Sequence, residues 1–131
     1  MFKINRRTEY ALRGLRYLSK HPTNEAIMIR EIAQAVDASP VFLAKIFQRL
    51  NAAGLVTSSR GVIGGFRLSK PPTKINLLEV LEATEGPISV NACVVDEHAC
   101  NLTKSCAAHR IWSELRQMMN KELKKITIKD I

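Results

Sequence analysis

Three cysteines and two of the three histidines of this 131-residue chain lie in one stretch, residues 93–112, which reads CVVDEHACNLTKSCAAHRIW. Thiolates and imidazoles are the side chains that bind zinc ions and iron–sulfur clusters in proteins. The spacing is Cys93-x6-Cys100-x5-Cys106-x2-His109. This stretch therefore predicts a metal centre held by those four residues, or a group of redox-active thiols.

The spacing bears on which of these chemistries the stretch supports. Structural zinc sites generally use cysteine pairs two to four residues apart, whereas a cluster is larger and can take ligands spread along a loop. Cys106 and His109 lie three residues apart at the start of a predicted helix, so both can face one site. Structural zinc and oxidisable thiols without a metal remain alternatives. A Cys–His nucleophile would also need an oxyanion site and a substrate cleft, for which we find no motif, so we do not predict an enzyme.

The charge balance predicts a polyanionic partner. Lysine and arginine number 20 against 12 aspartates and glutamates, which gives a formal charge of +8. Such an excess is typical of proteins that bind nucleic acid or an anionic membrane surface, although it can also be plain surface charge. No apolar run is long enough to span a bilayer, and the N-terminal residues do not resemble a signal peptide. We therefore expect a cytoplasmic protein with reduced cysteines.

Residues 28–54 follow the pattern of a helix-turn-helix. Apolar residues recur at helical spacing in 28–38 and again in 41–54. Between the two runs, Ser39 is a good N-cap and Pro40 suits the first helical position, while Gly54 ends the second helix. The second helix is predicted to bury Leu43, Ile46, Phe47 and Leu50.

A predicted hairpin follows the helix-turn-helix at once. Residues 55–57 and 66–68 favour strands, and glycines between them favour a turn. A hairpin behind a helix-turn-helix is the wing of a winged helix. We therefore predict a mainly α fold with a small β-hairpin wing, in which residues 1–72 form a winged helix-turn-helix domain.

Residues 73–131 are predicted to form a second part. It starts with a short helix whose N-terminus carries a capping box of Asn76 and Glu79. The cysteine loop comes next, and then a long amphipathic helix. That helix has one apolar stripe, which must cover the domain or meet a partner. The stripe consists of Ile111, Leu115, Met118, Met119, Leu123 and Ile126.

The winged helix favours DNA over a membrane as the polyanionic partner. The second helix of a helix-turn-helix enters the major groove, and its exposed N-terminal residues reach base edges and phosphates. Gln48 suits an adenine edge, and Arg60 at the hairpin tip is placed to enter a narrow minor groove. The predicted DNA-binding residues are Arg6, Arg7, Ser39, Pro40, Val41, Ala44, Lys45, Gln48 and Arg60.

Over nearly its whole length the chain resembles the Rrf2 family of bacterial winged-helix transcription regulators. Four segments carry the resemblance: RRTEYALRGLRYL, SPVFLAKIFQRLNAAGLVTSSRGVIGGFRLSKPP, INLLEVLEATEG and the three-cysteine loop that ends in CAAHRIW. The resemblance implies a homodimer joined by the long C-terminal helix. It also implies an iron–sulfur cluster near the dimer interface and binding to a roughly palindromic operator in double-stranded DNA.

The same resemblance implies that Cys93, Cys100 and Cys106 are cluster ligands. The fourth is His109 by similarity to IscR-like members, which goes with the favoured 2Fe–2S cluster. The alternative is Glu9 by similarity to NsrR-like members, in which an acidic residue of the other subunit binds a 4Fe–4S cluster. The predicted function is a dimeric repressor whose cluster senses iron status, redox state or nitric oxide. A winged-helix regulator with structural zinc or redox-active thiols is the alternative.

Overall fold

A computed structural model describes residues 3–22, 25–59 and 64–131. Within these ranges the chain forms five α-helices and one antiparallel hairpin. The helices are α1 (Arg6–Ser19), α2 (Ile29–Ala35), α3 (Pro40–Ala52), α4 (Leu77–Glu85) and α5 (Ala107–Lys125), and the strands are β1 (Val56–Ser59) and β2 (Gly65–Leu68). The predicted mainly helical fold with a small hairpin is confirmed.

The turn between α2 and α3 is built as the sequence predicts. The Ser39 hydroxyl accepts a hydrogen bond from the Phe42 N–H at 3.4 Å, and Pro40 is the first residue of α3. Asp37 has a left-handed φ of 55°, which lets the chain reverse between the two helices. All four residues predicted for the buried face of α3 are buried.

The hairpin has an additional neighbour that the sequence did not reveal. β1 and β2 pair from Val56 opposite Leu68 to Ser59 opposite Gly65. Ile27 joins them through two backbone hydrogen bonds of 2.9 Å with Phe66. A Cβ atom on Gly65 would lie 2.5 Å from the Ile27 carbonyl oxygen, so this glycine is required by close approach of backbone. The predicted tip residue Arg60 lies outside the described residues.

The C-terminal part is joined to the winged helix through a common core. The capping box of Asn76 and Glu79 at the start of α4 is present as predicted. After α5 ends, the chain returns to the core, where Ile128 is 1% exposed and its N–H donates to the Ile75 carbonyl at 3.0 Å. Ile75 and Ile128 belong to the same buried cluster as Phe47 of α3. Residues on both sides of the predicted domain boundary thus share one core, and the boundary itself stays a prediction.

The described helices include none that is long and apolar enough to cross a membrane.

Candidate functional site

The structure brings two of the predicted ligands together. Cys93 lies in a 3-10 turn, Ala92–Val94, within the loop that joins α4 to α5, and His109 lies in the first turn of α5. The His109 Nδ1 atom is 3.5 Å from the Cys93 Sγ atom, and both residues are half-buried. A thiol and an imidazole at this distance can share a proton or bind one metal centre.

The other two thiols are exposed on the same loop. The Cys100 sulfur accepts a hydrogen bond from the Leu102 N–H at 3.4 Å, and Cys106 is the N-cap residue of α5. All three cysteines are free thiols. Among residues 3–22, 25–59 and 64–131, no group of three or more His, Cys, Asp or Glu side chains is arranged to hold a metal ion.

Arg116 holds the cysteine loop against α5. Its Nε atom donates to the Ile88 carbonyl at 3.2 Å, and its Nη1 atom donates to the Val94 carbonyl at 2.9 Å. One guanidinium thereby fixes both ends of the segment that carries Cys93. The sequence motifs assign no role to Arg116, although its position two turns after His109 places both on one face of α5.

Glu9, the alternative fourth ligand, is an exposed residue in the first turn of α1. It belongs to no group of potential metal ligands among the described residues of this single chain. Its proposed role requires the other subunit of a dimer, so it stays a prediction.

The predicted DNA-contacting residues of α3 form an open strip. Val41 is 69% exposed, and Lys45 and Gln48 are also exposed. Their spacing of four and three residues puts them on one side of the helix. Ala44 is half-buried beside them, and Ser39 caps the helix at the end of the strip. This arrangement can present polar and small apolar groups together to a groove of DNA.

The N-terminus of α1 adds basic residues to the same side. Arg6 and Arg7 line an open cleft of about 600 Å³ together with Asp37 and Ser39 of the helix-turn-helix. The predicted phosphate contacts from α1 and α3 therefore lie close together.

Tyr10 shapes this cleft and was missed in the sequence. Its ring meets that of Phe42 edge-on, with 5.6 Å between the ring centroids. The guanidinium carbons of Arg6 and Arg13 lie 5.9 and 5.1 Å from the centroid of the Tyr10 ring. Spacings of four and three residues from Tyr10 are the sequence signal for these contacts. The tyrosine thus supports two of the cations that α1 presents.

The basic surface continues along α1. Arg13, Arg16 and Lys20 line a second cleft of about 490 Å³ beside the helix-turn-helix turn. The Tyr17 hydroxyl in this cleft donates to the Glu31 carboxylate at 3.0 Å. That hydrogen bond, with burial and the negative charge of Glu31, raises the pKa of Tyr17. The tyrosine is neutral at pH 7, as it would be at its ordinary pKa of 10, and adds no negative charge to the surface.

The apolar stripe of α5 is uncovered in the single chain. None of the residues of α5 is buried within the described parts of the chain. Ile111 and Met118 are 57% and 64% exposed. An apolar groove of about 700 Å³ runs beside the stripe, between α5, the end of α4 and the N-terminal residues. Its apolar lining includes Ile4, Leu81, Ile88, Leu115, Met118, Met119 and Leu123.

Comparison with known proteins identifies the family. The model of the Rrf2 family, described as "Iron-dependent Transcriptional regulator", matches residues 4–131. The chain belongs to the Rrf2 family. An HTH-type transcriptional regulator of Aquifex aeolicus (strain VF5) is 32% identical over 124 residues, which are 93% of this chain and 85% of that relative. This Rrf2 protein is therefore a DNA-binding transcription regulator and not an enzyme.

Solved structures of other regulators are similar to this Rrf2 protein. CymR of B. subtilis, named as the global cysteine regulator, has a TM-score of 0.74 at 28% identity, covering 99% of this chain and 95% of that one. IscR of T. potens has a TM-score of 0.69 at 24% identity, covering 98% and 85%. The second likeness shows the fold alone, and both confirm the winged-helix architecture.

Proposed function

We propose that this Rrf2 protein is a homodimeric repressor whose affinity for DNA is set by an iron–sulfur cluster in the cysteine loop. The observation that carries the proposal is the approach of the His109 imidazole to the Cys93 thiol, within a loop that holds two further free thiols. The description of the family as iron-dependent transcriptional regulators supports it.

The proposal is supported by the chemistry of the donor types, three thiols and one imidazole on one loop. Cys93 and His109 already adjoin, while Cys100 and Cys106 are exposed on the same loop, and Cys106 lies three residues before His109. Three thiolates with one imidazole suit a 2Fe–2S cluster. The alternative within this proposal is a 4Fe–4S cluster whose fourth ligand is Glu9 of the partner subunit in place of His109. A bound cluster supplies iron that responds to iron supply, oxidation or nitric oxide.

The DNA-binding part of the proposal rests on the strip along α3 and the basic residues beside it. Ser39 and Lys45 contact phosphates, Gln48 reads a base edge, and Val41 and Ala44 contact thymine methyl groups. Arg6 and Arg7 contact phosphates from the N-terminus of α1. Two copies of α3, about 34 Å apart in a dimer, fit successive major grooves of a roughly palindromic operator.

The uncovered stripe of α5 supports the homodimer. Large exposed apolar surfaces on soluble proteins generally mark interaction sites, and Ile111, Leu115 and Met118 lie on one face at helical spacing. The cysteine loop joins the start of this helix. A change in the loop is therefore placed to alter how two copies of α5 pair, and with them the spacing of the two winged helices.

The test is the composition of protein purified and reconstituted without oxygen. We expect about two iron and two sulfide per chain if a 2Fe–2S cluster is bound. His109→Ala should alter the absorption and Mössbauer spectra, and His98→Ala, which changes an exposed histidine of the same loop, serves as the matched control. Unchanged spectra in His109→Ala combined with changed spectra in Glu9→Ala would transfer the fourth-ligand role to Glu9. Colourless protein without iron and acid-labile sulfide would overturn the cluster proposal.

The second candidate is a regulator that uses its thiols without a cluster. The similarity to the cysteine regulator CymR over almost the whole chain favours it, as do the two exposed cysteines. In that case the same preparation contains no iron, and its DNA affinity changes on reversible thiol oxidation. A zinc content of about one ion per chain that is lost when the cysteines are substituted would instead indicate a structural zinc site.

A further inference from the structure

The carboxylate of Glu85 lies at the N-terminus of a helix other than its own. Glu85 is the last residue of α4, and its Oε1 atom accepts hydrogen bonds from the Asn5 backbone N–H at 2.9 Å and the Thr8 hydroxyl at 2.6 Å. Its Oε2 atom accepts a third from the Asn5 side-chain amide at 2.5 Å. These bonds join two segments that are far apart in the sequence.

Glu85 acts as the N-terminal cap of α1. Asn5 is the N-cap residue, yet within the described chain its own side chain makes no capping hydrogen bond. A carboxylate is stabilised at the N-terminus of a helix and destabilised at a C-terminus, so its favourable interactions lie with α1 rather than with α4. Burial raises the pKa of Glu85, but hydrogen bonds from Thr8 and Asn5 and the charge of Arg7 outweigh it and lower the pKa. The cap is therefore ionised at neutral pH.

The contact continues into the core. Thr8 and Thr84 are 0% and 1% exposed, and their hydroxyl oxygens are 2.7 Å apart. The Thr84 hydroxyl lies 2.9 Å from the Val80 carbonyl, one turn back in α4. A buried, hydrogen-bonded pair of this kind resists displacement because separating it leaves polar groups unsatisfied. The first turn of α1 is thus fixed to the end of α4.

The residues that this contact fixes are those proposed to bind phosphate. Arg6 and Arg7 stand between Asn5 and Thr8, the two residues that Glu85 holds. On the other side, Glu85 is followed by Gly86, where the chain leaves α4 for the cysteine loop. We infer that Glu85 is a positioning residue for DNA binding, which holds Arg6 and Arg7 in place from the point where the cysteine loop begins. The inference rests on the proposed role of these arginines.

The first experiment compares Glu85→Ala with Glu82→Ala. Glu82 is an exposed glutamate nearly one turn earlier on α4, so both variants lose one negative charge from the same helix. The probe is a duplex of random sequence, bound over a series of salt concentrations. We expect Glu85→Ala to bind the duplex about threefold to tenfold more weakly than Glu82→Ala. The slope of the logarithm of the binding constant against the logarithm of the salt concentration should also be smaller, by up to about one unit for each phosphate that is no longer neutralised.

The second experiment repeats both substitutions in an Arg6→Ala/Arg7→Ala background. If Glu85 acts through these arginines, its removal has no further effect there, whereas a general loss of structure would weaken binding in either background. An unchanged salt dependence on removal of both arginines overturns their DNA role and this inference with it. If removal of both arginines reduces the salt dependence but Glu85→Ala and Glu82→Ala bind equally well, the arginines keep their DNA role and only the inference about Glu85 is overturned. If Glu85→Ala fails to fold, Glu85→Gln, which keeps an acceptor oxygen, is compared with Glu82→Gln by the same criteria.

Discussion

Gly14 shows how a single residue is fixed by its neighbours. It lies in the middle of α1, where glycine is otherwise unfavourable. A Cβ atom there would lie 2.7 Å from the Phe47 Cε2 atom. The close contact lets α1 approach α3, on which the helix-turn-helix depends.

We therefore expect Gly14→Ala to destabilise the protein. Alanine favours the helix by up to about 1 kcal/mol, but overpacking a core costs about 1 to 3 kcal/mol. The free energy of unfolding, measured by urea denaturation, should fall by up to about 2 kcal/mol, which is the larger overpacking cost less the full gain in helix propensity. Gln117→Ala at an exposed position of α5 is the control and should change stability by less than about 0.5 kcal/mol. A more stable Gly14→Ala variant would refute the packing argument.

Glu79 gives a prediction about acid stability. Burial raises its pKa, but hydrogen bonds from Lys70 (2.6 Å) and the Asn76 N–H (2.9 Å), together with the charge of Lys70, outweigh it and lower the pKa below the usual 4.5. The resulting stabilisation is complete above pH 4.5 and is lost as the pH falls through the lowered folded-state pKa. Glu79→Gln should therefore show a smaller fall in Tm on acidification than the parent protein, whereas Glu82→Gln should keep the parent's profile. Identical profiles for all three proteins would contradict the assignment.

At the scale of elements, α3 was predictable and the cysteine loop was not. The cap at Ser39, the proline after it and the buried face of α3 all depend on residues within a few positions of one another. The loop depends instead on Arg116, which bonds carbonyl groups 28 and 22 positions away. The clustering of cysteines and histidines predicted the candidate ligand types. Arg116 is one of two arginines of α5, and its spacing from His109 indicates a shared helix face but not a contact with such distant carbonyl groups.

The strip on α3 predicts two different effects on DNA binding. Lys45→Ala should weaken binding to all duplexes and reduce the salt dependence by about one unit, because one phosphate is no longer neutralised. Gln48→Ala should leave the salt dependence unchanged and reduce discrimination at one base pair by about 1 to 3 kcal/mol. Both are measured on an operator selected from random duplexes, with Asn51→Ala at the far, exposed end of α3 as the control. Equal effects of Lys45→Ala and Gln48→Ala at every base would argue against base reading by Gln48.

The contact between Arg116 and the loop predicts the reactivity of a thiol. Arg116→Ala removes both hydrogen bonds that hold the segment around the half-buried Cys93. In metal-free, reduced protein, we expect Cys93 to react with N-ethylmaleimide at least about fivefold faster, which corresponds to about 1 kcal/mol of easier local opening. Mass spectrometry of peptides follows each cysteine separately. The control is Arg110→Ala, which breaks an exposed pair with Glu114 on the same helix. Equal Cys93 rates in both variants would disprove the proposed restraint.

At the scale of the whole molecule, the uncovered face of α5 predicts the oligomeric state. Met118 is 64% exposed, so Met118→Glu should leave the protomer folded while placing a charge in the proposed dimer interface. We expect the parent to elute as a dimer and the variant as a monomer in size-exclusion chromatography with light scattering. Gln117→Glu introduces the same charge next to the stripe and should remain dimeric. A monomeric parent protein would exclude the homodimer.

The path of the C-terminal residues is the part of the whole fold that sequence analysis did not predict. Ile126 continues the helical spacing of the stripe, yet α5 ends at Lys125 and the Ile126 carbonyl accepts the Leu77 N–H at 2.8 Å. The apolar periodicity placed Ile126 inside the helix, but burial of Ile128 in the common core turns the chain one residue earlier. The residue at which α5 ends is set by tertiary packing, which cannot be inferred from the local spacing of apolar residues.

The return of Ile128 to the core fixes the C-terminal end of α5, so the helix can tilt about this pinned end. Its 19 residues span about 28 Å, so a tilt of about 10° about the pinned end sweeps the end beside Cys106 through about 5 Å. If two paired copies of α5 form the stationary frame, the same tilt swings each winged helix instead. A part of the winged helix that lies equally far from the pinned end moves through the same arc, which exceeds the rise of one base pair, about 3.4 Å, and shifts a helix out of register with its groove.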